Sequence, residues 1–184
     1  MARIDPIPMD QMTPDQRRLN DEIAGSRGGG PAKGPFALWL RTPELAEHAN
    51  AFGSYLRHGT TVPQRLVELA VLVVARTYTA QYEWYVHVRR AIEVGLDEAI
   101  IDEIRHRRRP DFKDPKEALV YDMTLEIVEQ RQLGDTLYAS AKETFGEPAL
   151  VELIALIGFY VMIAVFLNSF QVEVPDPAAV LLSD

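Results

Sequence analysis

The stretch Pro63-Gln64-Arg65-Leu66-Val67-Glu68-Leu69-Ala70-Val71-Leu72-Val73-Val74-Ala75-Arg76 decides the fold. Thr61-Val62-Pro63 reads as a helix opening, because proline suits a first helical position where no amide donor is needed. Leu66, Leu69, Ala70, Val73 and Val74 follow at three- and four-residue spacing, the period of one helix face. The chain is expected to bend near Tyr78 to Ala80. A second helix then runs from Gln81 to Val94 and stops at Gly95, a residue suited to the left-handed turn that ends helices.

The same punctuation recurs on both sides. Thr13-Pro14 opens a helix to about Ser26, and Thr42-Pro43 opens one ending near His58-Gly59, with Leu45, Ala49, Phe52 and Leu56 as its apolar stripe. Asp97 caps a short helix ending before Pro110. Asp114-Pro115-Lys116-Glu117 has the form of a capping box, in which Glu117 would reach back to the helix start. Gly134-Asp135 starts a helix ending at Phe145-Gly146, and Glu147-Pro148 opens the last and most apolar one, to about Asn168. Phe36 and Trp39 are expected to precede a helix as core or interface aromatics. Strand signals are nearly absent. The expected fold is all-α: a single-domain bundle of about eight helices. Residues 1–35 would form an N-terminal helix and flexible loop, 36–175 the helical domain and 176–184 an extended tail.

Composition narrows the chemistry. The chain has 184 residues, 47% of them hydrophobic and 25% charged, which suffices for a core. A net charge of -8 advertises no phosphate backbone as partner. The basic run Arg105-His106-Arg107-Arg108-Arg109 reads as a solvated helix C-terminus, where the dipole favours cations. With no cysteine, disulfides, thiolate nucleophiles and Cys-based metal sites are excluded. MARIDPIPMDQ lacks the apolar core of a signal peptide. Leu150 to Phe170 contains Glu152 and Asn168 and reads as a buried core helix, since a span needs roughly 20 cleaner apolar residues. A cytoplasmic protein with neither membrane nor nucleic-acid partner is expected.

Glu83 and His87 are four apart and share a helix face. Glu68 lies on the preceding helix. If the two helices fold back on each other, Glu68 approaches that face, with Tyr82 and Trp84 beside it. Two carboxylates and an imidazole between aromatic walls suit general acid–base work, because histidine titrates near neutrality and burial moves a carboxylate toward it. A solvated Glu–His pair is the plainer alternative, and periodicity does not separate the two. Neither HExxH nor a Cys/His cluster occurs, and no metal is expected. Lys33 is followed by Gly34, so Gly28 to Pro35 is a connector, lid or arm and not a phosphate loop.

These residues also carry a family resemblance. Pro63 to Arg76 resembles the signature helix of carboxymuconolactone decarboxylase-like proteins. Tyr82-Glu83-Trp84-Tyr85-Val86-His87-Val88 with Ala91 to Leu96 resembles their second signature, and Glu152 to Tyr160 with Leu167-Asn168 also fits. In the related alkylhydroperoxidase D branch a glutamate, a Cys-x-x-Cys pair and a histidine work together. The glutamate falls on Glu68 and the histidine on His87, while Ala80 and Glu83 hold the cysteine positions. Thiol peroxidase chemistry therefore cannot run here.

What the resemblance implies is a cofactor-free lyase acting on a small carboxylated or lactone-type molecule, closest to carboxymuconolactone decarboxylase. Glu68, Glu83 and His87 would be catalytic. Sequence position, and not the resemblance, adds the substrate-binding candidates: Tyr82 and Trp84 beside that face, Tyr160 and Asn168 on the last helix with core hydrogen bonding as the alternative, and Arg76 and Arg89 as cations for an anionic ligand with a surface role as the alternative. A homodimer, trimer or hexamer is implied. The alternatives are another proton transfer (isomerisation, elimination or hydrolysis) on the same scaffold, or a non-catalytic helical oligomer that binds a ligand.

Overall fold

In a computed structural model, residues 2–25 and 30–183 are described; the expected helix end at Ser26 and the glycines Gly28 and Gly29 lie outside them. Eight α-helices follow in order: α1 (Pro14–Gly25), α2 (Pro35–Trp39), α3 (Pro43–Ser54), α4 (Gln64–Thr77), α5 (Gln81–Glu93), α6 (Glu98–Arg105), α7 (Pro115–Gln130) and α8 (Asp135–Phe170). No strand occurs among the described residues. A π-helical turn, Tyr55–Gly59, extends α3.

The quoted stretch is the centre of the bundle. Every residue from Leu66 to Arg76 is buried, so that length of α4 has no solvent face. It packs against α5, α7 and α8 together. That enclosure is why its sequence is apolar almost all round instead of along one stripe. Thr79 takes a left-handed φ of 47° and turns the chain within three residues, Tyr78 to Ala80. Helix α5 then runs back along α4, as expected from the sequence.

Arg76 ends α4 in a structural role. Its Nε donates to the Arg105 carbonyl at 2.7 Å and its Nη2 to the Ser183 carbonyl at 2.8 Å. These bonds fasten α4 to the end of α6 and to the C-terminal tail. Leu182, 5% exposed, packs into the core, and the Gln81 side chain exchanges two hydrogen bonds with its backbone. The tail is therefore extended but docked.

Several local expectations shift. Phe36 and Trp39 lie inside α2, behind Gly34 and Pro35, and do not precede a helix. On α3 the buried residues are Ala46, Ala49 and Gly53, while Leu45 and Phe52 are about half exposed. The face turned inward is one residue round from the stripe expected from the larger side chains. Phe52 still meets Phe159 edge-on, ring centroids 5.5 Å apart. Asp114 caps α7 by accepting from the Lys116 amide at 2.9 Å, but Glu117 does not close the box; it pairs with Arg65 at 3.1 Å. Thr13 and Gln16 form the reciprocal cap at the start of α1.

Helix α8 spans two expected helices, since Gly146 (φ 78°, ψ 164°) breaks it just before Pro148. It is long and apolar enough to cross a membrane by composition, yet half of its most apolar stretch is buried inside the protein. Glu152, in the half of α8 that follows the break, accepts from the Tyr55 hydroxyl at 2.7 Å and the Thr61 amide at 3.0 Å, which anchors the π-turn. The basic run after α6 is ion-paired at the surface: Arg108 with Glu103, and Arg109 with Asp122 at 2.8 Å.

Candidate active site

The α4–α5 hairpin sets Glu68 against His87, nineteen positions apart in the chain. The His87 Nδ1 and a Glu68 carboxylate oxygen are 2.6 Å apart, and both side chains are buried. Burial lowers the His87 pKa, the Glu68 carboxylate raises it, and the positive charges of Arg90 and Arg57 lower it; the balance is downward. At neutral pH the ring is therefore neutral. A neutral ring beside a carboxylate donates its Nδ1–H, which leaves the lone pair on Nε2. The Tyr160 ring packs edge-on against the imidazole at 5.0 Å and fixes its plane.

His87 forms part of the wall of a cavity of about 440 Å³. Glu68 sits behind it and does not line the cavity. Tyr82, Tyr85 and Tyr160 supply hydroxyls, and Phe36, Phe159 and Ile163 supply apolar surface. Lys33, Arg57, Arg89 and Arg90 supply positive charge, and no carboxylate is among the described lining residues. Burial keeps the phenols of Tyr82 and Tyr160 protonated by raising their pKa values. An anionic ligand in the cavity would therefore face cations, while Glu68 and Glu83 both lie outside the wall.

The loop before α2 supplies part of the wall through Pro31, Ala32 and Lys33, with Pro35 added by α2. It is pinned where the buried Asn20 side chain accepts from the Ala32 amide at 2.8 Å. Gly34 has φ 60° and ψ −135°, and a Cβ there would come within 2.5 Å of the Tyr82 ring. Gly34→Ala is expected to destabilise the protein by about 1–3 kcal/mol through backbone strain, and to push Tyr82 from its place. Thermal denaturation and a crystal structure of the variant check both effects.

Glu83 does not join the pair. It is 2% exposed, neither oxygen has a hydrogen-bond partner among the described residues, and it does not line the cavity. Burial holds its pKa well above the usual carboxylate range, so it folds as the neutral acid. A raised folded-state pKa in an acid gives stability that is full below the unfolded value and lost as pH rises toward the folded one. Glu83→Gln removes that dependence. The variant is expected to be more stable than wild type at neutral pH, where the carboxyl is most costly to keep protonated. At pH 4 it is expected to be no more stable. Denaturation curves across that range measure the difference.

Of the residues expected to bind substrate, Tyr82 and Tyr160 line the cavity and Arg89 joins them. Trp84 is buried beneath α5, where the Arg105 guanidinium lies 5.9 Å from its ring centroid. Arg76 is occupied by the carbonyls described above. Asn168 donates to the Tyr78 carbonyl at 2.8 Å and borders a separate hollow under the tail. Sequence reasoning misses Arg57, Arg90, Tyr85 and the 31–35 wall. The four-residue spacing from Val86 to Arg90, and from Gln81 to Tyr85, marks only a common helix, not which face meets the cavity.

Residues 43–124 match the family model described as the carboxymuconolactone decarboxylase family. The fold matches an uncharacterized peroxidase-related protein from Silicibacter sp. TM1040 at a TM-score of 0.76 and 14% identity, covering 94% of this chain and 91% of that one. It also matches a protein of unknown function from Agrobacterium tumefaciens, a putative antioxidant defence protein AhpD, at 0.66 and 19% identity, covering 78% and 99%. A third match is the debrominase Bmp8, a cysteine-to-alanine variant in complex with 2,3,4-tribromopyrrole, at 0.76 and 12% identity, covering 95% and 94%. At these identities the structures show a shared fold. Among curated proteins, none matches the chain by sequence. Residues 43–124 are thus similar to the carboxymuconolactone decarboxylase family, and the chain as a whole shares the fold of AhpD-like helical proteins.

Proposed function

We propose that the protein is a cofactor-independent acid–base enzyme acting on a small carboxylated or lactone-type molecule, with decarboxylation of a carboxymuconolactone as the closest named reaction. The observation that carries this reading is the buried His87, held through Nδ1 by Glu68, at the wall of a cation-lined cavity. The similarity of residues 43–124 to that family supports the class of reaction, and the His87–Glu68 geometry supports a group able to move a proton.

Loss of carbon dioxide breaks a carbon–carbon bond and leaves its electron pair in the conjugated lactone as an enolate. A proton must then reach carbon. His87 picks up at Nε2 the one solvent proton that the overall reaction consumes, the adjacent Glu68 carboxylate stabilises the imidazolium formed, and Nε2 passes that proton to the carbanion carbon, which returns the ring to its neutral form. Its lowered pKa makes the imidazolium a willing donor. In this reading the Tyr160 phenol, part of the cavity wall, hydrogen-bonds the enolate oxygen, and the cations hold the substrate's remaining charge.

The absence of cysteine separates this chain from thiol-dependent proteins that share its fold. Peroxide reduction by a thiol pair has no sulfur to use here. The test is release of carbon dioxide from carboxymuconolactone and related carboxylated lactones, with His87→Ala as control. Turnover that disappears in the variant supports the reading. A panel of such lactones left unchanged by wild-type protein would contradict it.

A further inference from the structure

Arg57 is the most unusual charge in the molecule outside the Glu68–His87 pair. It is 9% exposed and sits on the π-turn Tyr55–Gly59 at the end of α3. Single π-turns widen a helix by one residue and re-aim the side chains that follow, and they are frequent at functional sites. Here the widened turn is held from outside by Glu152, which accepts from Tyr55 and Thr61, and from inside by Gln64, which donates to the Arg57 carbonyl.

The guanidinium uses one of its nitrogens internally: Nε donates to the Gly53 carbonyl at 3.0 Å. Its two terminal nitrogens have no partner among the described residues, and the side chain lines the cavity. Among the described residues no carboxylate forms an ion pair with it. Glu68, the acid whose charge reaches it, is already committed to His87. A buried guanidinium without a counter-charge is strongly unfavourable unless another anion completes it. A paired fork of N–H donors suits a planar carboxylate.

On the reading of this cavity as the substrate site, the geometry points to Arg57 as the residue that anchors the substrate's carboxylate, and to a ligand whose remaining body is flat and apolar. The second half rests on the rest of the lining: Phe36, Phe159 and Ile163 give the same cavity its apolar wall. Lys33 and Arg89 are exposed at the rim and attract the anion, whereas Arg57 receives it inside. An anion docked there also cancels one of the charges that depress the His87 pKa, so binding and proton affinity are coupled. The groups acting on His87 are Glu68, Arg57, Arg90 and, through ring contact, Tyr160.

Benzoate is the probe, with benzamide as its neutral isostere and inorganic phosphate as a bare anion, each titrated calorimetrically into the full chain. Wild type is expected to bind benzoate at least about tenfold more tightly than either, the worth of one charge-assisted fork. Arg57→Gln is expected to lose that preference while keeping its weak affinity for benzamide, and Arg57→Lys to recover part of it. Nitrogen NMR of His87 should show its pKa rising when benzoate saturates the wild-type protein. Benzoate affinity in Arg57→Gln within about twofold of wild type would overturn the assignment. So would benzamide or phosphate binding as tightly as benzoate. If Arg57→Gln does not fold, the wild-type comparison and the His87 titration still decide. Because no readout is turnover, benzoate capture by a protein that converts no lactone would uphold the anchor and refute the enzymatic reading.

Discussion

His87→Ala is expected to lower turnover about 10²–10⁴-fold, the range for loss of a positioned general acid or base. The effect follows from geometry. Once Glu68 has taken Nδ1, Nε2 is the ring position able to exchange a proton with a ligand in the cavity. Alanine also strands the buried Glu68 carboxylate, which destabilises the fold. His87→Gln separates the two effects, since its amide N–H can still serve Glu68 but cannot carry a proton. Both variants are expected to be inactive, and the glutamine variant is expected to keep more of the stability. Initial rates on an identified substrate, with thermal denaturation alongside, measure this. Activity within about threefold of wild type in both would remove His87 from the chemistry.

Glu68→Gln is expected to cost a comparable factor, about 10²–10⁴, although residue 68 does not line the cavity. The carboxylate does two things for His87. It fixes the proton on Nδ1, and its charge stabilises the imidazolium. A glutamine can offer its own N–H to Nδ1, which turns the ring proton toward the cavity and removes the lone pair from Nε2. The pH profile distinguishes this from a packing defect. In wild type the rising limb of kcat/KM lies below 6.5, because the His87 pKa is lowered overall. Glu68 is one of the causes that raise it, so Glu68→Gln moves the limb to still lower pH. A limb that stays in place, with only the plateau reduced, would assign Glu68 to structure alone.

Helix starts are legible in the sequence because they are local. Threonine–proline and aspartate–proline pairs name their own positions, and the α4–α5 hairpin with its bend at Tyr78 to Ala80 stands as the sequence implies. The meeting of Glu68 and His87 is legible too, since two helices joined by so short a turn must lie side by side. Rotation about each helix axis is not. Leu45 and Phe52 form a plausible stripe, yet α3 turns Ala46 and Gly53 inward, because Phe159 needs the space that Gly53 leaves. The same ambiguity makes Arg76 look like a pocket residue: a charge in an apolar run can meet a ligand or a set of carbonyls, and here it meets carbonyls. Glu83 shares a helix with His87 but stays out of the cavity wall. Arg57 gives no signal at all, because a π-turn has no sequence period of its own and the partners that hold it lie on other segments.

The protonation state of His87 is the most direct test of the acid–base site. Nitrogen-15 NMR of the full chain with labelled histidine, recorded across the neutral and mildly acidic range, reports which ring nitrogen carries the proton and where the ring titrates. The expected spectrum is that of a neutral ring at neutral pH, protonated on Nδ1 with a far-downfield proton from the bond to Glu68, and a midpoint below 6.5. A ring protonated on Nε2, or one that titrates at or above the ordinary histidine value, would contradict it.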